Sequence, residues 1–96
     1  MRLQKFTKNP DEVKRYGIDY TKWLDTSEVV QGVTLQVTGP DTSLAADNYM
    51  VIPNGKKISF YVRGGTAGSV YKVFVEISTS AQQIREDTIP FVVVAP

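Results

Sequence analysis

The residues of this chain that could carry chemistry are its carboxylates, because the chain contains no cysteine and no histidine. Two adjacent pairs occur, Asp11 with Glu12 and Glu86 with Asp87. Paired carboxylates can divide general acid and base roles when both reach one substrate atom. Neighbouring residues of a strand point to opposite faces, so we interpret both pairs as solvated charge. A Ser-His-Asp triad also needs histidine. We therefore expect no catalytic residue and predict that the protein is not an enzyme.

Two further groups could hold a ligand. Asp41, Asp47 and Asn48 offer oxygen atoms to calcium, but their spacing lacks the D-x-D-x-[DN]-G pattern, and loop capping explains them as well. Residues 64–68 read G-G-T-A-G, which superficially resembles a phosphate loop. No lysine follows, and a strand rather than a helix comes next, so we interpret the segment as a turn. We expect no cofactor and no metal, with calcium excluded less firmly than zinc or copper.

Length and charge exclude several classes of protein. The 96 residues suit one domain. The 11 basic and 10 acidic residues give a net charge of +1, too little for electrostatic binding of nucleic acid. The longest apolar run, residues 91–95, is far shorter than the ~20 residues of a membrane span. The charged residues 1–15 contain no apolar signal region. We predict neither a nucleic-acid partner nor a membrane partner.

Alternation of apolar and polar residues predicts short strands along most of the chain. The strand patterns cover residues 16–21, 32–38, 49–52, 57–63, 69–79 and 85–94. Turn signals separate them, among them Asn54 with Gly55, and Pro90 places the last strand at an edge or a bulge. The pattern predicts an all-β, antiparallel sandwich of about seven strands, of the immunoglobulin or fibronectin type III kind.

Tyr71 stands where a tyrosine corner is expected, at the start of the longest predicted strand and after a glycine-rich turn. Its hydroxyl would bond a backbone group of that turn, which Gly64, Gly65 and Gly68 shape. The alternative is a tyrosine at the edge of the core whose hydroxyl contacts water. The absence of cysteine excludes an antibody-like domain with its disulfide.

Residues 1–15 are predicted to form an extended N-terminal arm ahead of a domain of residues 16–96. The first 24 residues hold six of the eleven basic residues and three acidic ones. The sequence N-P-D-E at residues 9–12 has the form of a helix start, and Gly17 would end that helix after about two turns. Phe6 is the one large apolar group among these charges. We therefore expect an arm that is mobile in the free protein and orders on an acidic partner.

Aromatic and basic residues near the N-terminus are the candidate partner-binding residues, because tyrosine, tryptophan and arginine are enriched in protein interfaces. The candidates are Arg2, Lys5, Phe6, Lys8, Tyr20 and Trp23. The rings could instead fill one end of the sandwich. A further alternative is a binding module in which Tyr20, Trp23 and Tyr61 recognise bacterial surface glycan.

Three blocks of the sequence, in order along the chain, resemble a family of small structural proteins of tailed phages. Residues 8–24 are similar to its opening K-D-P-D-E-x-x-D-Y-x-I-D-W-x-x-W-L, and residues 64–73 to its L-S-G-G-T-A-G-x-x-Y-x-V segment. Residues 78–87 resemble its hairpin T-T-S-x-G-R-x-D-E-R-S. Asn9 replaces an aspartate of that pattern and Tyr20 replaces its first tryptophan.

The resemblance implies an immunoglobulin-like virion protein of the neck or tail, of the fibre–tail adaptor type, with no catalytic residues. Its expected partners are other tail, neck or fibre proteins of a phage or prophage, and oligomers would form only in the assembled particle. The resemblance further implies synthesis in the cytoplasm of the bacterial host, followed by incorporation into the virion.

Overall fold

The structure is a computed structural model that describes residues 6–52 and 54–95. These residues contain seven strands. The strands are β1 (Phe6–Lys8), β2 (Val13–Asp19), β3 (Val30–Thr38), β4 (Leu44–Val51), β5 (Lys57–Gly64), β6 (Val70–Thr79) and β7 (Ile84–Val93). No helix occurs among these residues. The prediction of an all-β fold with about seven strands is confirmed.

The strands form two sheets that face each other across the core. One sheet has the order β1-β7-β6-β3 and the other the order β2-β5-β4. All pairings are antiparallel except β1 with β7, which is parallel. In the β4–β5 hairpin, Asn54 and Gly55 have φ angles of 90° and 68°, the left-handed conformation expected of this pair in a tight turn.

Alternating side chains of the facing strands fill the core. The inward residues of β6 are fully buried from Tyr71 to Ile77, and Phe60 of β5 is likewise inaccessible. The ring of Tyr16 on β2 meets that of Phe91 on β7 edge-on, with centroids 4.9 Å apart. This geometry is favourable for aromatic pairs, and here it joins the two sheets.

Residues 9–12 form a single turn instead of a helix start. The Asn9 N–H donates to Oε1 of Glu12 at 2.6 Å, and the Glu12 N–H donates to the Asn9 carbonyl at 3.2 Å. The first bond is the half of a capping box in which the glutamate side chain reaches back to the first residue, and the second closes the turn between main-chain atoms. The chain then enters β2, whose seven residues all pair with β5. The predicted helix is wrong because a short helix is marginal without packing, whereas this ladder is continuous with the core.

The extended arm predicted for residues 1–15 is not supported by residues 6–15. Phe6 pairs with Phe91 in the β1–β7 ladder, and its ring centroid lies 4.9 Å from that of Tyr16. Lys8 is 1% exposed, and its carbonyl accepts the Val94 N–H at 2.8 Å. Phe6 and Lys8 therefore have roles in the fold, and the docking roles predicted for them stay predictions. Arg2 and Lys5 lie outside the described residues.

β4 differs most from its predicted extent of residues 49–52, β2 begins earlier than predicted, and β1 lies where no strand is predicted. β4 begins at Leu44, and a break in its register between Asp47 and Met50 interrupts the alternation from which strands are predicted. In β7, Pro90 pairs with Lys72 of β6. On the other side of β7, pairing with β1 begins only at Phe91 among the described residues. β7 therefore lies between β1 and β6 and is not the edge strand predicted from Pro90. Among the described residues, Pro90 lies just before the segment of β7 that pairs with β1.

Candidate functional site

A network of hydrogen bonds surrounds the hydroxyl of Tyr71 at one end of the two sheets. This hydroxyl accepts the backbone N–H of Thr66 at 2.9 Å and donates to Oδ1 of Asp41 at 2.7 Å. The Ser43 hydroxyl lies 3.2 Å away, and the Thr66 hydroxyl donates to Oδ2 of Asp41 at 2.9 Å. The Tyr71 ring is fully buried. These bonds join the loop after β3, the turn after β5 and the start of β6.

Glycine is required in this network because side chains would not fit. A Cβ atom on Gly64 would lie 2.1 Å from the carbonyl oxygen of Ser43, and Gly64 has a φ of +78°. A Cβ atom on Gly39 would lie 2.3 Å from the Tyr71 ring. Gly68, with a φ of +88°, has nothing within 4 Å of that position. Gly64 is therefore needed both for its left-handed φ and for the lack of space around it. Gly68 is needed only for its left-handed φ.

Lys8 connects β1 to the same turn. Its Nζ donates to the carbonyl of Gly64 at 2.5 Å and to that of Asn9 at 2.6 Å. Burial lowers the pKa of this ammonium group, while the carboxylates of Glu12 and Asp11 act in the opposite direction. A buried cation is retained here because backbone carbonyls satisfy it. The sequence alone gives no sign of this role, since the residue stands in a run of charges.

We expect Tyr71→Phe to lower the free energy of unfolding by about 1.5–3 kcal/mol, the range for hydrogen bonds that involve a charged group. The substitution leaves the ring in place but removes the donor to Asp41 and the acceptor of the Thr66 N–H. Tyr49, whose side chain is 53% exposed, supplies the control. Tyr49→Phe should change stability by less than about 0.5 kcal/mol. Equal urea midpoints for the two variants would show that the Tyr71 hydroxyl contributes nothing.

Acid should weaken the network through Asp41. Hydrogen bonds from the side chain of Ser43, and then from Tyr71, lower the pKa of this carboxyl below its usual 3.8. Because the folded pKa lies below the unfolded one, the stabilisation is complete above pH ~4 and is lost as the pH falls further. Asp41→Asn should therefore flatten the decline of stability below pH 4. The measurement is urea unfolding of both proteins from pH 2 to pH 7, and parallel curves would contradict the assignment.

A second cluster closes the opposite part of the core. The Arg85 guanidinium lies 5.1 Å from the centre of the Trp23 ring, and Nε of Arg85 is 3.3 Å from both carboxylate oxygens of Asp87. Asp87 is buried, and Tyr20 is only 3% exposed. Burial raises the pKa of the Tyr20 hydroxyl, and the Asp87 carboxylate raises it further. Tyr20 therefore lies in the core, and Trp23 is half-buried beneath Arg85. The partner-binding role predicted for both rings stays a prediction.

The rings considered for glycan binding do not form one platform. Tyr20 is inside the core, whereas Tyr61 lies opposite Arg15 and Asp47 in the ladders of β5. Its neighbour along β5, Phe60, is fully buried, so alternation places Tyr61 on the outer face of the sheet. Tyr61 and Tyr20 therefore face different surroundings and cannot stack on one sugar.

The carboxylates considered for chemistry are separated by the fold. Glu86 is exposed opposite Glu76, whereas Asp87 is buried opposite Val75. Asp41 belongs to the Tyr71 network, and Asp47 pairs with Arg63 at 2.9 Å. Across residues 6–52 and 54–95, no three acidic side chains come close enough to hold a metal ion. The same residues contain no helix with the length and hydropathy of a membrane span.

Comparison with known proteins assigns the chain to a family. A family model described as "Podophage GP4 fiber-tail adaptor protein gp77" matches residues 8–92. The chain belongs to this family. The matched region runs from Lys8 through both side-chain clusters to Val92 in β7. No curated protein matches the chain.

Membership in the fibre-tail adaptor family indicates where the protein acts. The family description indicates a phage tail adaptor, which is a component of the virion with a structural role, and such an adaptor contacts other phage tail proteins. The resemblance found in the sequence is confirmed at the level of the family.

Proposed function

We propose that this protein is a non-enzymatic structural component of the virion that joins neighbouring parts of the tail, including those at the neck between head and tail. The observation that carries the proposal is the family match over residues 8–92, which includes six complete or nearly complete strands. A fold stabilised at both ends by side-chain networks suits such a role, because a rigid adaptor loses little conformational entropy when it binds.

We also infer that the two sheets form an immunoglobulin-like sandwich. The order β1-β7-β6-β3 against β2-β5-β4 corresponds to an immunoglobulin arrangement in which the first strand has joined the last. Tyr71 lies near the start of the sixth strand, and its hydroxyl accepts the backbone N–H of Thr66 five residues upstream. This is the position and the contact of a tyrosine corner.

The proposed mechanism is assembly without chemistry. Free protein made in the cytoplasm of the host would be a preformed block that docks on tail, neck or fibre subunits and forms oligomers only within the particle. Trp23 is half-buried beside Arg85, so its exposed part stays a candidate contact, together with Arg2 and Lys5. The same reasoning applies whether the gene belongs to a phage or to a prophage.

Removal of the gene tests this proposal. Particles assembled without the protein should lack fibres on their tails, and their adsorption to host cells should fall by orders of magnitude. A plasmid copy should restore both properties. Electron microscopy counts fibres per particle, and a plaque assay measures infection. Normal fibres and normal plaque numbers without the protein would refute an adaptor role.

A further inference from the structure

The lateral edges of the two sheets differ in how they are shielded. β3 and β4 lie against each other on one side of the molecule, and β4 also has a register break at Asn48, which has a φ of 51°. Such breaks discourage the addition of another strand. On the other side, β2 pairs with β5 through all seven residues without a break, and no second strand pairs with it among the described residues. Within residues 6–52 and 54–95, the edge of β2 is thus both regular and open.

The main chain of β2 presents hydrogen-bonding groups along this edge. The Tyr20 N–H donates to the carbonyl of Lys56 at 2.8 Å. In an antiparallel ladder, successive residues direct their N–H and C=O groups alternately to the two sides. Arg15 and Gly17 therefore direct these groups away from β5. Gly17 is exposed and has no side chain, so that another backbone can approach closely there.

The side chains at this edge are cationic. Lys14 and Arg15 are exposed, and neither forms a salt bridge with another residue in the described ranges. The Nζ of Lys14 lies 5.8 Å from the centre of the Tyr16 ring, on the inner side of the strand, so Arg15 lies on the outer side. Antiparallel pairing of two copies about Gly17 would set Arg15 opposite Asp19 of the other copy, but the Asp19 carboxylate already accepts hydrogen bonds from Thr21 and lies 3.9 Å from Nζ of Lys57. Pairing that set Lys14 and Arg15 against their own copies would bring like charges together, which destabilises a sheet. The edge therefore disfavours a second copy and favours an acidic strand.

We propose that β2 accepts an extended acidic segment of a neighbouring protein as an added strand. The backbone of that segment would pair with Arg15 and Gly17. Two adjacent acidic residues would meet Lys14 on one face and Arg15 on the other, because neighbouring side chains of a strand alternate. Such pairing combines main-chain affinity with side-chain selection. That the neighbour is a virion protein rests on the proposed function. The preference of this edge for an acidic strand rests only on the residues of β2.

Peptide binding to the full-length protein tests the edge itself. The probe is a capped peptide, Thr-Val-Thr-Asp-Glu-Val-Thr-Val, and the matched peptide has Lys-Lys in place of Asp-Glu. The acidic peptide should shift the amide NMR signals of Arg15 and Gly17 and slow their hydrogen exchange, and the basic one should not. Lys14→Glu with Arg15→Glu should weaken binding of the acidic peptide at least about tenfold. Lys72→Glu, on an exposed position of the other sheet, should leave binding unchanged.

Four results would overturn the inference: equal binding of both peptides, no binding at millimolar concentration, shifts confined to other strands, or dimers of the free protein formed through β2. Incorporation into particles separates this inference from the adaptor role. If the wild-type protein enters particles and the Lys14→Glu, Arg15→Glu variant enters them equally well, the edge is not the docking site and the adaptor role stands. If the wild-type protein is absent from particles, the adaptor role itself fails.

Discussion

Replacement of Gly64 by alanine is expected to destabilise the protein by about 3–4 kcal/mol, enough to lower its melting temperature by more than ~12 °C. The left-handed conformation at φ +78° costs any other residue about 1–2 kcal/mol. The new Cβ would also lie 2.1 Å from the Ser43 carbonyl oxygen. Because that oxygen belongs to the backbone, the strand after it must move, and its movement disturbs the bonds of Asp41 and Tyr71.

Gly68 supplies the matched control, since it shares the left-handed φ but has open space around it. Gly68→Ala should cost only about 1–2 kcal/mol. Thermal unfolding followed by circular dichroism measures both variants. If Gly64→Ala is no more destabilising than Gly68→Ala, the close approach of residues 43 and 64 does not hold and the network around Tyr71 loses its basis.

Deletion of residues 2–8 is expected to destabilise the fold by about 3 kcal/mol or more. The deletion removes the Phe6 ring from its contacts with Tyr16 and Phe91, whose centroids lie 4.9 Å and 5.7 Å away. Loss of a large aromatic side chain from a core costs about 3–5 kcal/mol when the side chain is fully buried. Phe6 is only partly buried, but the deletion also removes Lys8 and exposes the edge of β7.

A shorter deletion, of residues 2–5, leaves β1 intact and serves as the control. The longer deletion should lower the urea midpoint clearly more than the shorter one. Equal midpoints would mean that β1 contributes nothing to stability and that residues 1–15 behave as the arm predicted from the sequence. The comparison also decides whether loss of particle assembly after the longer deletion reflects docking or folding.

Strand positions could be predicted from the sequence wherever one face of a strand is buried. In β5 and β6, alternation places Phe60 and Tyr71 with their neighbours in the core, and both strands lie where predicted. The Asn54-Gly55 turn could also be predicted, because its positive φ angles depend only on these two residue types. These features depend on the period of a strand and on the φ angles that glycine and asparagine tolerate.

Features that depend on contacts between distant residues could not be predicted. Lys8 resembles a surface lysine until the carbonyl of Gly64, 56 residues away, is placed beside it. Arg85 and Asp87 likewise resemble surface charges, because nothing local indicates that Trp23 and Tyr20 cover them. Residues 9–12 contain the glutamate contact of a capping box, but the long-range pairing of β2 with β5 determines the structure that follows. The free edge of β2 is also a property of the topology.

Labelling of intact particles shows whether the protein is a structural part of the phage tail. A specific antibody carrying gold is applied to purified virions, which are then imaged by electron microscopy. Gold is expected on the tail where the fibres attach, in every complete particle and in none assembled without the gene. Particles that carry no label, while the protein is abundant in the lysate from which they were purified, would contradict a structural role in the tail.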